Sequence, residues 1–162
     1  MIEGKEGAFE IVSVNVSAKK GMRKVPVDRV RFEAGKGIAG DAHSGLLEKR
    51  QVSLLAVEEI DEASTTLREK LGEASPISRL EPGDFAENVT TRGLALHELP
   101  LGTVLELGTA LLEVSQIGKE CHTGCEIRKL VGDCVMPRKG IFARVLSPGE
   151  ASSADRGRYR IG

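Results

Sequence analysis

Apolar and polar residues alternate through much of the chain. In "FEIVSVNVS", Val12, Val14 and Val16 alternate with Ser13, Asn15 and Ser17, the period of a half-buried strand. "VPVDRVRF" reads as a second β-rich stretch, and Pro26 places it at an edge or a strand start. "RQVSLLAV" reads as a short buried strand, and "TVLELGTALLEVSQI" as a hairpin turning at Gly108 and Thr109. "GIFARVL" and the terminal "RYRI" supply further strands. Helical spacing is clear once: Val57, Ile60, Ala63, Leu67 and Leu71 form one stripe, charged residues fill the opposite face, and Gly72 is the stop. "EIRKLVG" is a weaker second helix, ended by Gly132.

Glycine marks the connections. Residues 33–45, "EAGKGIAGDAHSG", hold four glycines in thirteen positions, a tight segment that exposes its backbone. It fits neither the phosphate-loop nor the dinucleotide spacing. No internal repeat, low-complexity tract or linker divides the chain, so a single domain over residues 1–162 is expected. Many short strands with one good helix predict a mostly β fold. The expected architecture is a closed or nearly closed β-barrel with one or two attached helices.

Composition narrows the function. With no Trp, one Tyr and four Phe, the core must be aliphatic and stacking platforms for single-stranded nucleic acid are not expected. A net charge of -1 gives no global field for nucleic acid or an anionic membrane. No apolar run is long enough to span a bilayer, and the first residues lack the basic-then-apolar pattern of a signal peptide. A cytoplasmic location is the expectation. Charge is unevenly spread: residues 58–87 hold nine acids and three bases, whereas residues 117–145 hold six bases and three acids.

That basic stretch contains every cysteine, in "GKECHTGCEIRKLVGDC". Three cysteines leave at least one thiol unpaired. The pattern Cys121-His122-x2-Cys125-x8-Cys134 has one close ligand pair, not the two of a structural zinc site, although three Cys and one His could close a tetrahedron. The other reading is a thiolate. Lys119 and His122 flank Cys121, and nearby cations lower a thiol's pKa. Cys125 would sit just before the first turn of the weaker helix, and Cys134 could equally fill a core. In the glycine segment, Asp41 and His43 could position an anion, hold a metal or move a proton, or could simply close a turn. Arg50 offers a fork for phosphate or carboxylate. Asn88 reads as a structural hydrogen-bonding residue and His97 as a surface one.

Taken together, "GIAGDAHSG", "RQVSLL", "PGDFAENVTTRGL", "LPLGTVLELGTALLEVSQIGKEC" and "RKGIFARVLSPGE" resemble, in order and spacing, the MOSC domain. That is the C-terminal domain of molybdenum-cofactor sulfurases, and the likeness is to its freestanding bacterial members. The resemblance covers about residues 9–150. It implies a strand-rich barrel and a role linked to the molybdenum cofactor. Sulfur would be carried as a persulfide on Cys121, received from a pyridoxal-phosphate cysteine desulfurase and passed to a molybdenum or tungsten enzyme or a cofactor-biosynthesis protein. It also implies pterin binding near Asp41, His43 and Arg50, with Lys119, His122 and Arg138 as basic helpers. Cys125 and Cys134 are not general to the domain; they suggest a resolving thiol or keep a Cys/His metal site open, though no tightly bound metal is expected. The family pattern ends in a Gly-Asp turn and closing strand. Here Asp155 and Gly157 are separated by Arg156, so an irregular last strand is expected.

Overall fold

The structure, a computed structural model, describes residues 4–19, 23–42, 44, 45, 48–72, 80–118 and 139–162. Within these residues the chain runs β1 (Glu6–Val16), β2 (Val25–Val27), β3 (Arg29–Glu33), β4 (Gly37–Ile38), β5 (Val52–Ala56), α1 (Val57–Leu71), β6 (Val89–Arg92), a 3₁₀ turn η1 (Leu96–Glu98), β7 (Val104–Leu107), β8 (Ala110–Ile117), β9 (Ile141–Ser147), β10 (Gly149–Ser152) and β11 (Arg156–Arg160).

Seven strands close a ring in the order β1-β6-β5-β9-β8-β7-β11 and back to β1, with β2 added on the outside of β1. Neighbours are antiparallel except β5 and β6, which are parallel. A parallel pair needs a crossover, and α1 lies within it. β3, β4 and β10 form a separate three-stranded sheet. The barrel interior holds Phe9, Ile11, Val14, Leu54, Val89, Leu105, Leu112, Ile141 and Tyr159, and Val30, Phe32, Ile38 and Ala151 of the small sheet join the same cluster. Closure leaves the ring with no open edge.

Most predicted elements stand where the pattern put them. The helix bounds agree, with Gly72 at φ +84 donating its N–H to the Arg68 carbonyl at 2.8 Å. Leu71 departs from the stripe and is exposed, because it is the last helical residue. The hairpin turns through Gly108 and Thr109, with Leu107 opposite Ala110. Gly108 has φ +58, the hand that a two-residue type II′ turn needs at its first position.

Three readings change. In β1 a register shift between Ile11 and Ser13 moves the inward side from odd to even positions. Phe9 and Ile11 face the core before the bulge and Val14 after it, so Val12 is only half-buried. Ser13 and Asn15, expected to be wet, are buried beneath residues 83–90. The glycine segment contains β4, which pairs with β3, so it is partly a hairpin. The last strand is regular and closes the barrel against both β1 and β7. Asp155 makes this possible by accepting the Ser152 N–H at 2.8 Å, which tightens the turn before β11. Gly157 then lets β11 approach β1 at a point where any Cβ would collide with the Phe9 ring.

Candidate functional site: the foot of the cysteine segment

β8 ends and β9 begins at one point on the barrel rim. Ile117 pairs with Ile141, and Gly118 N–H donates to the Gly140 carbonyl at 2.7 Å. The chain therefore leaves and re-enters the barrel side by side. Residues 119–138 make the excursion between them. Lys119, Cys121, His122, Cys125, Cys134, Arg138 and the weaker predicted helix fall in this stretch of sequence, outside the described residues; His43, in the glycine segment, also lies outside them.

Arg50 stands at this foot. Its Nε donates to Gln116 Oε1 at 3.3 Å, and Gln116 Nε2 donates to the Gly118 carbonyl at 2.8 Å. The guanidinium carbon lies 5.6 Å from the centre of the Phe142 ring. Phe142 is two residues beyond Gly140 and points outward, packing with Leu55, Ile60, Leu67 and Phe85 between the barrel and α1. The guanidinium is thus held on one face by an aromatic ring and on one edge by an amide. Its two terminal nitrogens have no partner among the described residues. An oriented, half-buried arginine whose fork is unpartnered among the described residues suits bidentate capture of a phosphate or carboxylate.

Lys139 lies just before Gly140, ahead of β9. The Lys139 Nζ lies 3.4 Å from His97 Nε2. η1 follows β6 on this rim and sends Leu96 and Leu99 into the barrel core, which leaves His97 half-buried rather than on the open surface. Sequence reading missed this pair: Lys139 belongs to the basic stretch, but nothing local links it to a histidine 42 residues away.

Asp41 is placed differently. Its Oδ1 receives the Lys24 ammonium at 2.7 Å and the Ser17 N–H at 3.1 Å, and the two charged side chains are 0% and 1% exposed. This buried ion pair ties the glycine segment to the end of β1. Asn88 takes the structural part expected of it: its Oδ1 accepts from the Ser53 N–H at 3.0 Å and its Nδ2 donates to the Asn15 carbonyl at 3.2 Å.

Glu87, next to Asn88, was not singled out in the sequence. It is fully buried and accepts from the Gly83 N–H at 2.9 Å, the Phe85 N–H at 3.2 Å and the Thr90 hydroxyl at 2.8 Å. Burial raises its pKa to about 7, against those hydrogen bonds, which favour the carboxylate.

Among the described residues no group of three His, Cys, Asp or Glu could hold a metal ion, and no helix is long and apolar enough to cross a membrane. A groove of about 620 Å³ lies over β1, β7 and β11, lined by Gly7, Val104, Glu106, Arg158 and Arg160; neither Asp41 nor Arg50 lines it.

A family model for the MOSC domain matches residues 39–156. The chain belongs to the MOSC domain family. The matched span takes in Arg50, both ends of the cysteine segment and the buried Asn88 network. The MOSC family is associated with molybdenum-cofactor sulfurase-like proteins. No curated protein sequence matches the chain. Among solved structures, the YuaD protein from Bacillus subtilis superimposes with a TM-score of 0.78 at 19% identity, over 98% of each chain. YiiM from Escherichia coli gives a TM-score of 0.65 at 19% identity over 94% of this chain and 69% of its own. YiiM from Geobacillus stearothermophilus gives 0.64 at 24% identity over 91% and 72%. At these identities the likeness establishes the shared MOSC fold.

Proposed function

We propose that this MOSC protein carries sulfur on Cys121 and delivers it to the molybdenum cofactor, whose phosphate Arg50 anchors. The single observation that supports this is the foot of the segment. The segment that holds all three cysteines begins and ends at a pinned point on the barrel rim, and near that point Arg50 is oriented by Gln116 and Phe142 with its terminal nitrogens unpartnered among the described residues. A phosphate-bearing pterin fits the guanidinium donors there, and in this reading the metal centre comes with the substrate.

The loading step is thiol exchange. The Cys121 thiolate attacks the outer sulfur of a donor persulfide, the donor's S–S bond breaks, and the donor leaves as a thiolate. Cys121 then holds a sulfur at the zero oxidation level. Release as sulfide takes two electrons. Cys125 or Cys134 supplies them by attacking the inner sulfur, forming a Cys121 disulfide and expelling sulfide to the acceptor. Lys119, His122 and Arg138 lower the thiol pKa in this scheme. The donor is a pyridoxal-phosphate cysteine desulfurase. The acceptor is a molybdenum or tungsten enzyme or cofactor-biosynthesis protein. The setting is cytoplasmic, and the whole chain acts as one domain.

Incubation with a desulfurase and cysteine, followed by intact mass spectrometry, should show about one added sulfur, removable by reductant, on Cys121. A Cys121→Ala protein that still gains the sulfur refutes the assignment. The open fork of Arg50 also supports a second reading, in which the protein holds the cofactor without chemistry. Retention of cofactor by Cys121→Ala together with its loss in Arg50→Met, and no persulfide on the wild type, would select that reading.

A further inference from the structure

One row of residues across the outer wall of the barrel complements its own reverse. Ala8 of β1 stands opposite Arg158 of β11, Arg158 opposite Glu106 of β7, and Glu106 opposite Leu111 of β8. Side chains alternate sides along a strand, and all four of these residues are exposed, so they share the outward face. In order they are small, positive, negative and large, and they line one groove of about 620 Å³. Leu111 is a large apolar side chain left 39% exposed, while Ala8 at the other end is too small to fill the groove. Opposite charges that face each other on neighbouring strands ordinarily close into a pair. Here they stay apart: among the described residues neither Arg158 nor Glu106 has an ion pair, and the same holds for Arg160 and Glu6 in the next row.

We propose that two copies of the chain meet on this face, about a twofold axis that runs along the strands between β11 and β7. That operation lays the row on its own reverse. Arg158 then meets Glu106 of the second copy, Glu106 meets its Arg158, and each Leu111 falls on the other copy's Ala8. Positive lies on negative and large on small at every position, as an isologous contact requires. In the next row Arg160 meets Val104 of the second copy, where its aliphatic stem finds an apolar surface. Glu6 comes over Glu113, whose charge Arg144 already offsets at 3.7 Å. One acid and one base leave the row with no net charge, which favours neither a polyanion nor a polycation as occupant. The ring is closed, so the second copy cannot add a strand and packs face to face. Nothing in this contact depends on the sulfur-carrier reading.

The test is sedimentation velocity of the full-length protein, in reductant to exclude cysteine cross-links, from about 1 to 300 μM, the range in which a small interface associates. The wild type should pass from monomer to dimer. Arg158→Glu and Glu106→Arg each bring like charges together twice per dimer, and each should weaken association at least about tenfold. Mixing these two variants should restore a dimer, because one chain then offers only acids and the other only bases at the two positions. Arg158→Glu/Glu106→Arg in a single chain keeps the row self-complementary and should also dimerise. Thermal midpoints check that these exposed substitutions leave the fold intact, and rescue in the mixture cannot come from misfolded chains. A wild type that stays monomeric throughout overturns the inference, as does a dimer that both single variants leave unchanged, or a mixture that fails to associate. A monomeric wild type that retains a small molecule in native mass spectra, lost in Arg158→Glu, would assign the groove to a ligand instead.

Discussion

Removing one member of the Lys24–Asp41 pair should be among the most damaging polar substitutions in this protein. The ammonium and carboxylate meet at 2.7 Å with side chains 0% and 1% exposed, so neither can turn to water when the other is lost. Taking away one partner of such a pair costs about 3–5 kcal/mol, because a charge stays buried without compensation. Lys24→Met removes the ammonium that the Asp41 carboxylate meets at 2.7 Å, and Asp41→Leu removes the carboxylate from the buried Lys24 ammonium. The double variant Lys24→Met/Asp41→Leu removes both charges and should lose no more than about 2 kcal/mol, since an apolar replacement of a buried pair is often close to neutral. Urea unfolding followed by far-ultraviolet circular dichroism measures all four proteins. With a slope of about 2 kcal/mol/M, each single variant should lower the midpoint by roughly 1.5–2.5 M, and the double variant by clearly less than either. The cycle should give a coupling of at least about 4 kcal/mol. Single losses below about 1 kcal/mol that simply add would show that the pair is not the buried, mutually dependent contact described.

Glu87 makes stability depend on pH. Its carboxyl titrates near 7 in the folded protein and near 4.5 when exposed, so the folded state holds the extra proton between those values. Stability should therefore fall by about 3 kcal/mol as pH rises from about 4.5 to 7, all else equal. Glu87→Gln should flatten that component in urea midpoints taken at pH 5 and 7.5; a wild-type slope of opposite sign that Glu87→Gln leaves untouched would contradict it. Gly157→Ala should cost about 1–3 kcal/mol by driving a methyl into the Phe9 ring, and Phe9→Leu should rescue part of the loss, read as thermal midpoints of the two singles and the double.

Local regularities were visible from the residues. The helix over 57–71 has five stripe positions and a glycine stop, and the hairpin has a two-residue turn, so each is specified by neighbours in sequence. What escaped the pattern depends on distant partners. A one-residue bulge in β1 is invisible to a period-two count, yet it decides that Ile11, not Val12, meets the core. Ser13 and Asn15 read as wet because nothing local reveals that residues 83–90 will cover them. β10 was hidden in a turn-rich stretch because its pairing partner, β3, lies more than a hundred residues earlier. At the site, Arg50 was legible from its chemistry, but its fixed orientation comes from Gln116 and Phe142, and His97 gained meaning only when the fold brought Lys139 to it.

The closure of the ring has a consequence during synthesis. Glu6 pairs with Arg160, so the strand made first waits for the strand made last among the seven. Until β11 leaves the ribosome, β1 and β7 each carry a row of unsatisfied amides and carbonyls along the sides it will occupy. Any state of the barrel in which β11 has not yet paired therefore carries two open seams, each able to accept a strand from a sibling chain.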